Sequence, residues 1–159
     1  MSASASTAKS SADLELTLTR VFEAPRERVF ACWTRAEHLQ HWFGPKGFTI
    51  HSCETDPRPG GIFRLCIRAP DGKDYWVRGE FKEVDAPSHL IITCAADDAK
   101  GVARLHEVID VTFTESRGRT TVAINAVARG PSDEAAAMLK GMDKGWAQTV
   151  DRLGAHLRK

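Results

Sequence analysis

The chain has 159 residues, with 22 basic and 21 acidic side chains and a net charge of +1. This length fits one domain, which buries roughly 68–70% of the surface that its unfolded chain exposes. The balanced charge provides no basic stripe for nucleic acid, and no apolar run approaches the roughly 20 residues of a membrane span. The composition predicts one globular domain without a nucleic-acid partner or a membrane span. We expect a monomer or a homodimer, between which the sequence does not choose.

The first segment, residues 1–12, is small and polar. It contains no apolar stretch typical of a secretory signal, and it is too poor in apolar side chains to order itself. We expect a flexible tail here and a single domain over residues 13–159. The chain has four cysteines and no C-x-x-C pair, which favours free thiols in a reducing cytoplasm. They are Cys32, Cys53, Cys66 and Cys94.

The first half of the chain predicts one strand and two short helices. The alternation of apolar and polar residues from Leu14 to Phe22 is typical of a half-buried strand. Pro25 suits the first turn of a helix. Thr34 and Glu37 form a T-x-x-E capping box, so a second short helix is expected to begin at Thr34 and end at the Gly-Pro pair of residues 44–45.

Six further strands follow, separated by segments rich in turn-forming residues. The turn segments are "DPRPGG", "APDGKD", "DAPS", "DDAKG" and "ESRGR". Such short connections join antiparallel strands. The expected strands span residues 48–55, 61–69, 74–84, 88–95, 103–115 and 119–128.

The last segment predicts one long amphipathic helix. Ser132 is its expected N-cap, and apolar residues recur from Leu139 to Leu157 at steps of three and four. An antiparallel sheet followed by a long helix is an α+β architecture. The apolar stripe of the helix is expected to pack across one face of the sheet.

Five motifs occur in an order that resembles a known family. They are "RVFEAPRERVFACWT", "HLQHWFGPKGF", "DPRPGGIFRL", "PDGKDYWVRGEFKEVDAPSHL" and "GMDKGWAQTVDRL". Together they resemble the homologues of the activator of heat-shock-protein-90 ATPase, within the START-like (SRPBCC) helix-grip superfamily. The resemblance implies a curved antiparallel sheet of about seven strands around a long C-terminal helix, with two short helices after the first strand.

The same resemblance implies three kinds of function. The superfamily is known for binding apolar ligands in a cavity between sheet and long helix, and some members are cyclases or hydratases. The eukaryotic namesake is a co-chaperone with a further domain, for which this chain is too short. Fold alone does not choose among these functions.

His38 and His41 lie three residues apart, a spacing at which two histidines can share a metal ion. A zinc site takes three or four protein ligands, however, and no Cys, Asp or Glu shows ligand spacing toward the pair. Helical phase places His38 beside Trp42 and His41 further toward the polar side. We therefore expect solvated histidines and neither a metal nor another cofactor.

Trp42 and Phe43 are more informative than the histidines. Aromatic side chains at a capped helix end commonly dock into the core. The family fold would place this helix over the mouth of the cavity, so lining the pocket is an additional expected role.

Two carboxylates fall on apolar strand faces. Period two places Glu107 with Leu105 and Ile109, and Glu83 with Val77 and Phe81. A carboxylate on such a face is costly unless it is paired. Either these faces look into a cavity, or a bulge has turned the pattern over, or arginine or histidine holds the carboxylates as buried pairs.

The leading hypothesis is a domain that binds a small hydrophobic molecule of lipid, polyketide or aromatic type. No catalytic residue is assigned. One alternative is a cyclase- or hydratase-type enzyme with Glu107 or Glu83 as general acid–base, and another is a module that binds a chaperone partner. The expected ligand-binding residues are Trp42, Phe43, Phe63, Phe81, Glu83, Glu107, Met142 and Trp146.

Overall fold

A computed structural model describes residues 12–44, 46–97, 103–130 and 142–158. The strands are β1 (Ala12–Phe22), β2 (Thr49–Thr55), β3 (Ile62–Arg68), β4 (Asp74–Asp85), β5 (His89–Asp97), β6 (Ala103–Ser116) and β7 (Arg119–Gly130). The helices in the described part are α1 (Arg26–Thr34), α2 (Ala36–Trp42) and α3 (Met142–Leu157). The predicted succession of elements is confirmed. The predicted tail up to residue 11, the N-cap Ser132 and Pro45 lie outside the described residues.

All strands form one seven-stranded sheet in the order β1-β7-β6-β5-β4-β3-β2. Every neighbouring pair is antiparallel. Strands β2 to β7 are consecutive along the chain and adjacent in the sheet, as short connections between antiparallel strands dictate. The pair of helices α1 and α2 carries the chain from β1, at one edge of the sheet, to β2 at the other. The α+β class and the helix-grip architecture are thus confirmed.

The core lies between one face of the sheet, called here the inner face, and the three helices. Side chains alternate along each strand, so that Leu90, Ile92 and Cys94 of β5 point inward and are buried. On α3, Val150 and Leu153 are fully buried at helical spacing against this face. The burial of both apolar surfaces holds the long helix across the sheet.

The predicted capping box at Thr34 is wrong. Helix α1 continues through Thr34, whose hydroxyl donates back to the Phe30 carbonyl at 3.0 Å. Helix α2 begins instead after Arg35, which makes no side-chain cap hydrogen bond. The hydroxyl of a threonine in the last turn of a helix readily bonds the carbonyl four residues earlier, so it is not available to cap the next helix.

Two further predictions concern the cysteines and membrane-spanning helices. All four cysteines are free thiols, and three of them are buried. Within the described part of the chain, no helix is both long and apolar enough to cross a membrane.

Candidate functional site

One row of inner-face residues runs across five strands. Register places Glu107 of β6 between Ala128 of β7 and Cys94 of β5. The row continues through Gly79 on β4 to Phe63 on β3. Small residues flank the carboxylate on both sides, and the aromatic ring lies at the end of the row. The row is therefore an apolar surface with a single acidic side chain in it.

Trp146 of α3 provides the polar contact of Glu107. The Trp146 side chain donates a hydrogen bond to the Glu107 carboxylate, across the space between helix and sheet. Burial raises the pKa of Glu107 from 4.5 to about 7, and the hydrogen bond only partly opposes this effect. The carboxyl group is therefore partly protonated near neutral pH.

Cys94 is an inert neighbour of this carboxyl group. Burial raises the pKa of the Cys94 thiol well above its usual value, and the nearby Glu107 charge raises it further. A thiol that does not ionise near neutral pH is a poor nucleophile. The titratable chemistry of the row thus resides in Glu107.

Aromatic rings enclose the row from the helix side. Trp33 of α1 stacks on Trp146, with ring centroids 6.2 Å apart and an interplanar angle of 14°. Phe43, just after α2, meets both Trp146 and Phe63 edge to face, at 6.2 and 5.8 Å. The Trp42 indole N–H donates to the Cys32 carbonyl at 3.0 Å, which ties α2 to α1. These contacts make the wall around Glu107 almost wholly aromatic.

The indole N–H of Trp33 is an unusual feature of that wall. Its nitrogen is buried, and none of the described residues accepts a hydrogen bond from it. A buried donor without an acceptor costs roughly 1–3 kcal/mol. The aromatic wall therefore contains a buried indole donor that no described residue satisfies.

Most of the sequence-predicted site residues come together in this region. Trp42, Phe63 and Phe81 are fully buried, while Phe43 is 8% exposed and Trp146 7% exposed. Met142 lies one turn before Trp146 and belongs to the same buried cluster. The residues gathered around the inner face are Trp42, Phe43, Phe63, Phe81, Glu107, Met142 and Trp146.

Glu83 is the exception, and its expected inward placement is corrected. A register shift between Phe81 and Glu83 marks a bulge in β4, and Glu83 pairs with the outward-facing Ile91. Of the alternatives that the sequence left open, the bulge applies to this residue. Its side chain is 51% exposed on the outer face of the sheet.

On the outer face, Glu83 belongs to a small charged cluster around His89. The two ring nitrogens of His89 lie 2.7 Å from carboxylate oxygens, Nδ1 from Glu83 and Nε2 from Asp110. Partial burial lowers the pKa of His89, but hydrogen bonds and attraction to both carboxylates outweigh that effect and raise it overall. This arrangement is a surface charge cluster that favours imidazolium, remote from Glu107.

A shallow groove of about 470 Å³ also lies across strands β4 to β7. Most of its lining side chains alternate outward, among them Thr93, Val108 and Val127. Gly79, Cys94 and Glu107 also border the groove, although they alternate toward the inner face of the sheet. The groove is therefore not the cavity that the family resemblance implies.

A further cluster escaped the sequence analysis. The Sγ of Cys32 and ring nitrogens of His38 and His156 all lie within 4.8 Å of one another. No cysteine shows ligand spacing toward His38 and His41 along the sequence, but the fold brings Cys32 close to His38. Cys32 and His156 are 124 positions apart along the chain, and only the packing of α3 on α1 and α2 brings them together.

Two members of the inner site were also missed. Cys94 shares the inner face of β5 with Leu90 and Ile92, so period two could have placed it there. Its pairing with Glu107 depends on strand register, which the sequence does not reveal. The stacking of Trp33 on Trp146 joins the first helix to the last, and no local signal predicts it.

Comparisons with known proteins agree with this architecture. The family model described as Activator of Hsp90 ATPase homolog 1-like protein matches residues 23–158. A solved structure from Nitrosomonas europaea is 27% identical, covers 91% of this chain and 94% of its own, and has a TM-score of 0.74. One from Staphylococcus epidermidis is 27% identical, covers 91% of this chain and 89% of its own, and has a TM-score of 0.73.

The AHSA1 protein of Silicibacter pomeroyi is 22% identical, with coverage of 91% and 98% of the two chains and a TM-score of 0.75, a likeness of fold alone. No curated protein gives a significant match. The family model spans both short helices, the sheet from β2 to β7 and the final helix. The chain therefore belongs to the Activator of Hsp90 ATPase homologue 1-like family, with its START-like helix-grip fold.

Proposed function

We propose that this protein binds a small, mostly apolar molecule between the inner face of the sheet and α3. The observation that carries the proposal is the half-buried Glu107 side chain beside Trp146, whose carboxyl pKa is raised to about 7. A carboxyl group held in apolar surroundings costs folding free energy. Groups with such perturbed pKa values concentrate at functional sites.

The surroundings of Glu107 indicate the chemistry of the ligand. Trp33, Trp146 and Phe63 offer aromatic surface, and the described part of the inner face provides few polar groups. Near neutral pH, Glu107 is present in both protonation states, so it donates a hydrogen bond to a carbonyl or accepts one from a hydroxyl. A flavonoid, a polyketide or a lipid with one hydroxyl or carbonyl group fits this combination.

Access to Glu107 involves the aromatic side chains of the second helix. Trp42 is fully buried, Phe43 is 8% exposed, and both contact the aromatic wall. A ligand that enters between helix and sheet must displace some of these rings. Ligand binding is therefore expected to change the tryptophan fluorescence, because three of the four tryptophans belong to this wall.

The test is a screen of lipids, flavonoids and polyketides by native mass spectrometry and thermal shift. We expect at least one class to bind with one-to-one stoichiometry and to quench the tryptophan fluorescence. Glu107→Leu, which removes both the donor and the acceptor of the carboxyl group, is expected to weaken the best ligand about 10-fold or more, as loss of a buried hydrogen bond does.

Glu54→Leu is the matched control, since Glu54 is an exposed glutamate on β2. It should leave ligand affinity unchanged, and each variant's thermal shift is measured against its own ligand-free Tm. The proposal is overturned if no compound in the three classes binds. It is equally overturned if the affinity of the bound ligand is the same in Glu107→Leu as in wild type and binding leaves the tryptophan fluorescence unchanged.

A second candidate is an enzyme that uses Glu107 as general acid–base. The supporting observation is again the pKa of about 7, since a catalytic acid–base works best when its pKa lies near the working pH. In that case the best ligands are converted, and Glu107→Gln lowers the rate by about 10²–10⁴-fold. Ligands recovered unchanged after prolonged incubation would favour binding alone.

A chaperone-binding surface has less support. Protein-interaction sites commonly present a contiguous exposed apolar patch. The large exposed apolar residues in the described part of the chain are Val21, 57% exposed, and Val108, 45% exposed. Val21 pairs with Thr121, whereas Val108 pairs with Val127, six residues along the same strand. The two side chains therefore do not form one patch.

A further inference from the structure

Three helices meet at a cluster of sulfur and imidazole groups outside the inner site. Cys32 comes from α1, His38 from α2 and His156 from the last turn of α3. Their candidate ligand atoms, Sγ and one nitrogen of each ring, lie mutually within 4.8 Å. Sulfur and imidazole nitrogen are donors that transition metals prefer, and this group of described residues offers both.

The local fold positions each donor. Cys32 is 1% exposed on the buried side of α1, and its carbonyl accepts the Trp42 indole N–H at 3.0 Å. That bond holds α2 against α1. On the next helix, His38 Nδ1 lies 3.0 Å from His156 Nε2, which joins α2 to the end of α3. The donors are thus held by three elements that are already packed together.

The spacing suits a tetrahedral ion after small side-chain rotations. With zinc–sulfur and zinc–nitrogen bonds of about 2.3 and 2.0–2.1 Å, ligand atoms lie roughly 3.3–3.6 Å apart. The observed separations, from 3.0 Å for the histidine pair to a limit of 4.8 Å, bracket that range. An ion would replace the hydrogen bond between the two rings.

A further imidazole lies beside the cluster. His41 is exposed on α2, and its ring stacks on that of His156 with centroids 5.5 Å apart and an interplanar angle of 18°. Rotation of its side chain, or a water molecule, would supply a fourth ligand. Because His38 and His156 are only half-buried, an ion reaches the cluster without unfolding of the chain.

One nearby charge acts on the cluster. The Arg28 guanidinium, which donates to the Leu157 carbonyl at 2.7 Å, exerts a Coulombic effect on Cys32. Burial raises the pKa of the Cys32 thiol to about 11, and the Arg28 charge only partly opposes this rise, so a bound metal ion must displace the thiol proton. Thiolate and imidazole donors select zinc and similar borderline ions, whereas magnesium and calcium need oxygen ligands.

We propose that Cys32, His38 and His156 form a zinc-binding site, with His41 or water as the fourth ligand. An ion at this position links α2, which carries Trp42, to the end of α3. Zinc binding therefore stabilises the packing of the three helices against one another. It raises the Tm in proportion to the logarithm of zinc concentration above the Kd.

Cobalt(II) is the spectroscopic probe for the full chain after treatment with EDTA. We expect a near-ultraviolet sulfur-to-cobalt charge-transfer band and the intense visible bands of tetrahedral cobalt, both abolished by stoichiometric zinc. Cys32→Ser should remove the charge-transfer band, and His156→Asn should weaken zinc binding at least 10-fold. Circular dichroism establishes that each variant is folded.

Cys53→Ser and His51→Asn are the matched controls, since both residues lie on β2 outside the cluster. They should retain the wild-type spectrum and affinity. The proposal is overturned if wild-type protein develops no charge-transfer band. It is also overturned if that band survives Cys32→Ser, or if folded His156→Asn binds zinc as tightly as wild type, since the metal would then bind elsewhere.

Discussion

Glu107→Gln is expected to stabilise the protein at about pH 8 and to leave it no more stable than wild type at about pH 4. Raising the pKa of Glu107 from 4.5 to about 7 costs on the order of 3 kcal/mol once the group is ionised. Glutamine retains an oxygen to accept the Trp146 N–H, but its amide group needs a partner, at a cost of about 1 kcal/mol. The net gain at pH 8 is therefore on the order of 2 kcal/mol.

The direction of the pH dependence follows from proton binding. Between pH 4.5 and about 7 the folded protein holds the Glu107 proton more tightly than the unfolded chain does. The free energy of unfolding therefore falls as pH rises through this window and stays low above it. Urea denaturation at several pH values should show this fall in wild type, and a smaller one in Glu107→Gln.

The raised pKa of His89 also makes the free energy of unfolding fall as pH rises. Wild type and Glu107→Gln must therefore be compared with each other at each pH. The raised pKa of His89 contributes stability that is complete below the unfolded value of 6.5 and is lost as pH rises through the folded pKa. Wild type and Glu107→Gln share this contribution, and it cancels in their difference. Glu54→Gln is the control and should keep the wild-type slope. Parallel pH profiles for wild type and Glu107→Gln would contradict the assigned burial of Glu107.

Regular periodicity explains why so much of the fold could be predicted from the sequence. Alternation with period two and turn-forming residues depend on neighbours along the chain, and the predicted strands end within about two residues of the observed ones. For β5, residues 88–95 were predicted and His89–Asp97 is observed. The prediction of a capping box at Thr34 failed at a point where two helices abut. The Thr34 hydroxyl could bond either the Phe30 carbonyl or a backbone N–H of the next helix, and the sequence alone does not show which bond forms.

The site was less predictable because it depends on register and on distant contacts. The same period-two rule placed Glu107 correctly and Glu83 incorrectly, since one inserted residue in β4 reverses the face. The approach of His156 to Cys32 and His38 results from the docking of α3. Neither the bulge nor the docking has a local pattern in the sequence.

Gly79→Ala is expected to be the most destabilising small substitution in the sheet. A Cβ at Gly79 would lie 1.9 Å from the Thr93 carbonyl oxygen and 2.7 Å from the Cys94 Cα. Those are backbone atoms of the paired strand β5 and cannot rotate away. Strands β4 and β5 would have to separate at the row that contains Glu107. Overpacking costs about 1–3 kcal/mol where side chains can adjust, and a backbone collision should reach or exceed the upper end.

Gly154→Ala is the control, and it is expected to leave the free energy of unfolding unchanged or to raise it. A Cβ there would meet the Phe22 ring at 3.5 Å, an ordinary van der Waals contact. Alanine also favours a helix interior over glycine by about 1 kcal/mol. Urea denaturation should therefore give a lower midpoint for Gly79→Ala and an equal or higher one for Gly154→Ala. A Gly79→Ala midpoint equal to that of wild type would show that β4 and β5 are further apart at this row than the structure has them. The tight pairing of β4 with β5, on which the placement of Glu107 beside Trp146 depends, would then not exist.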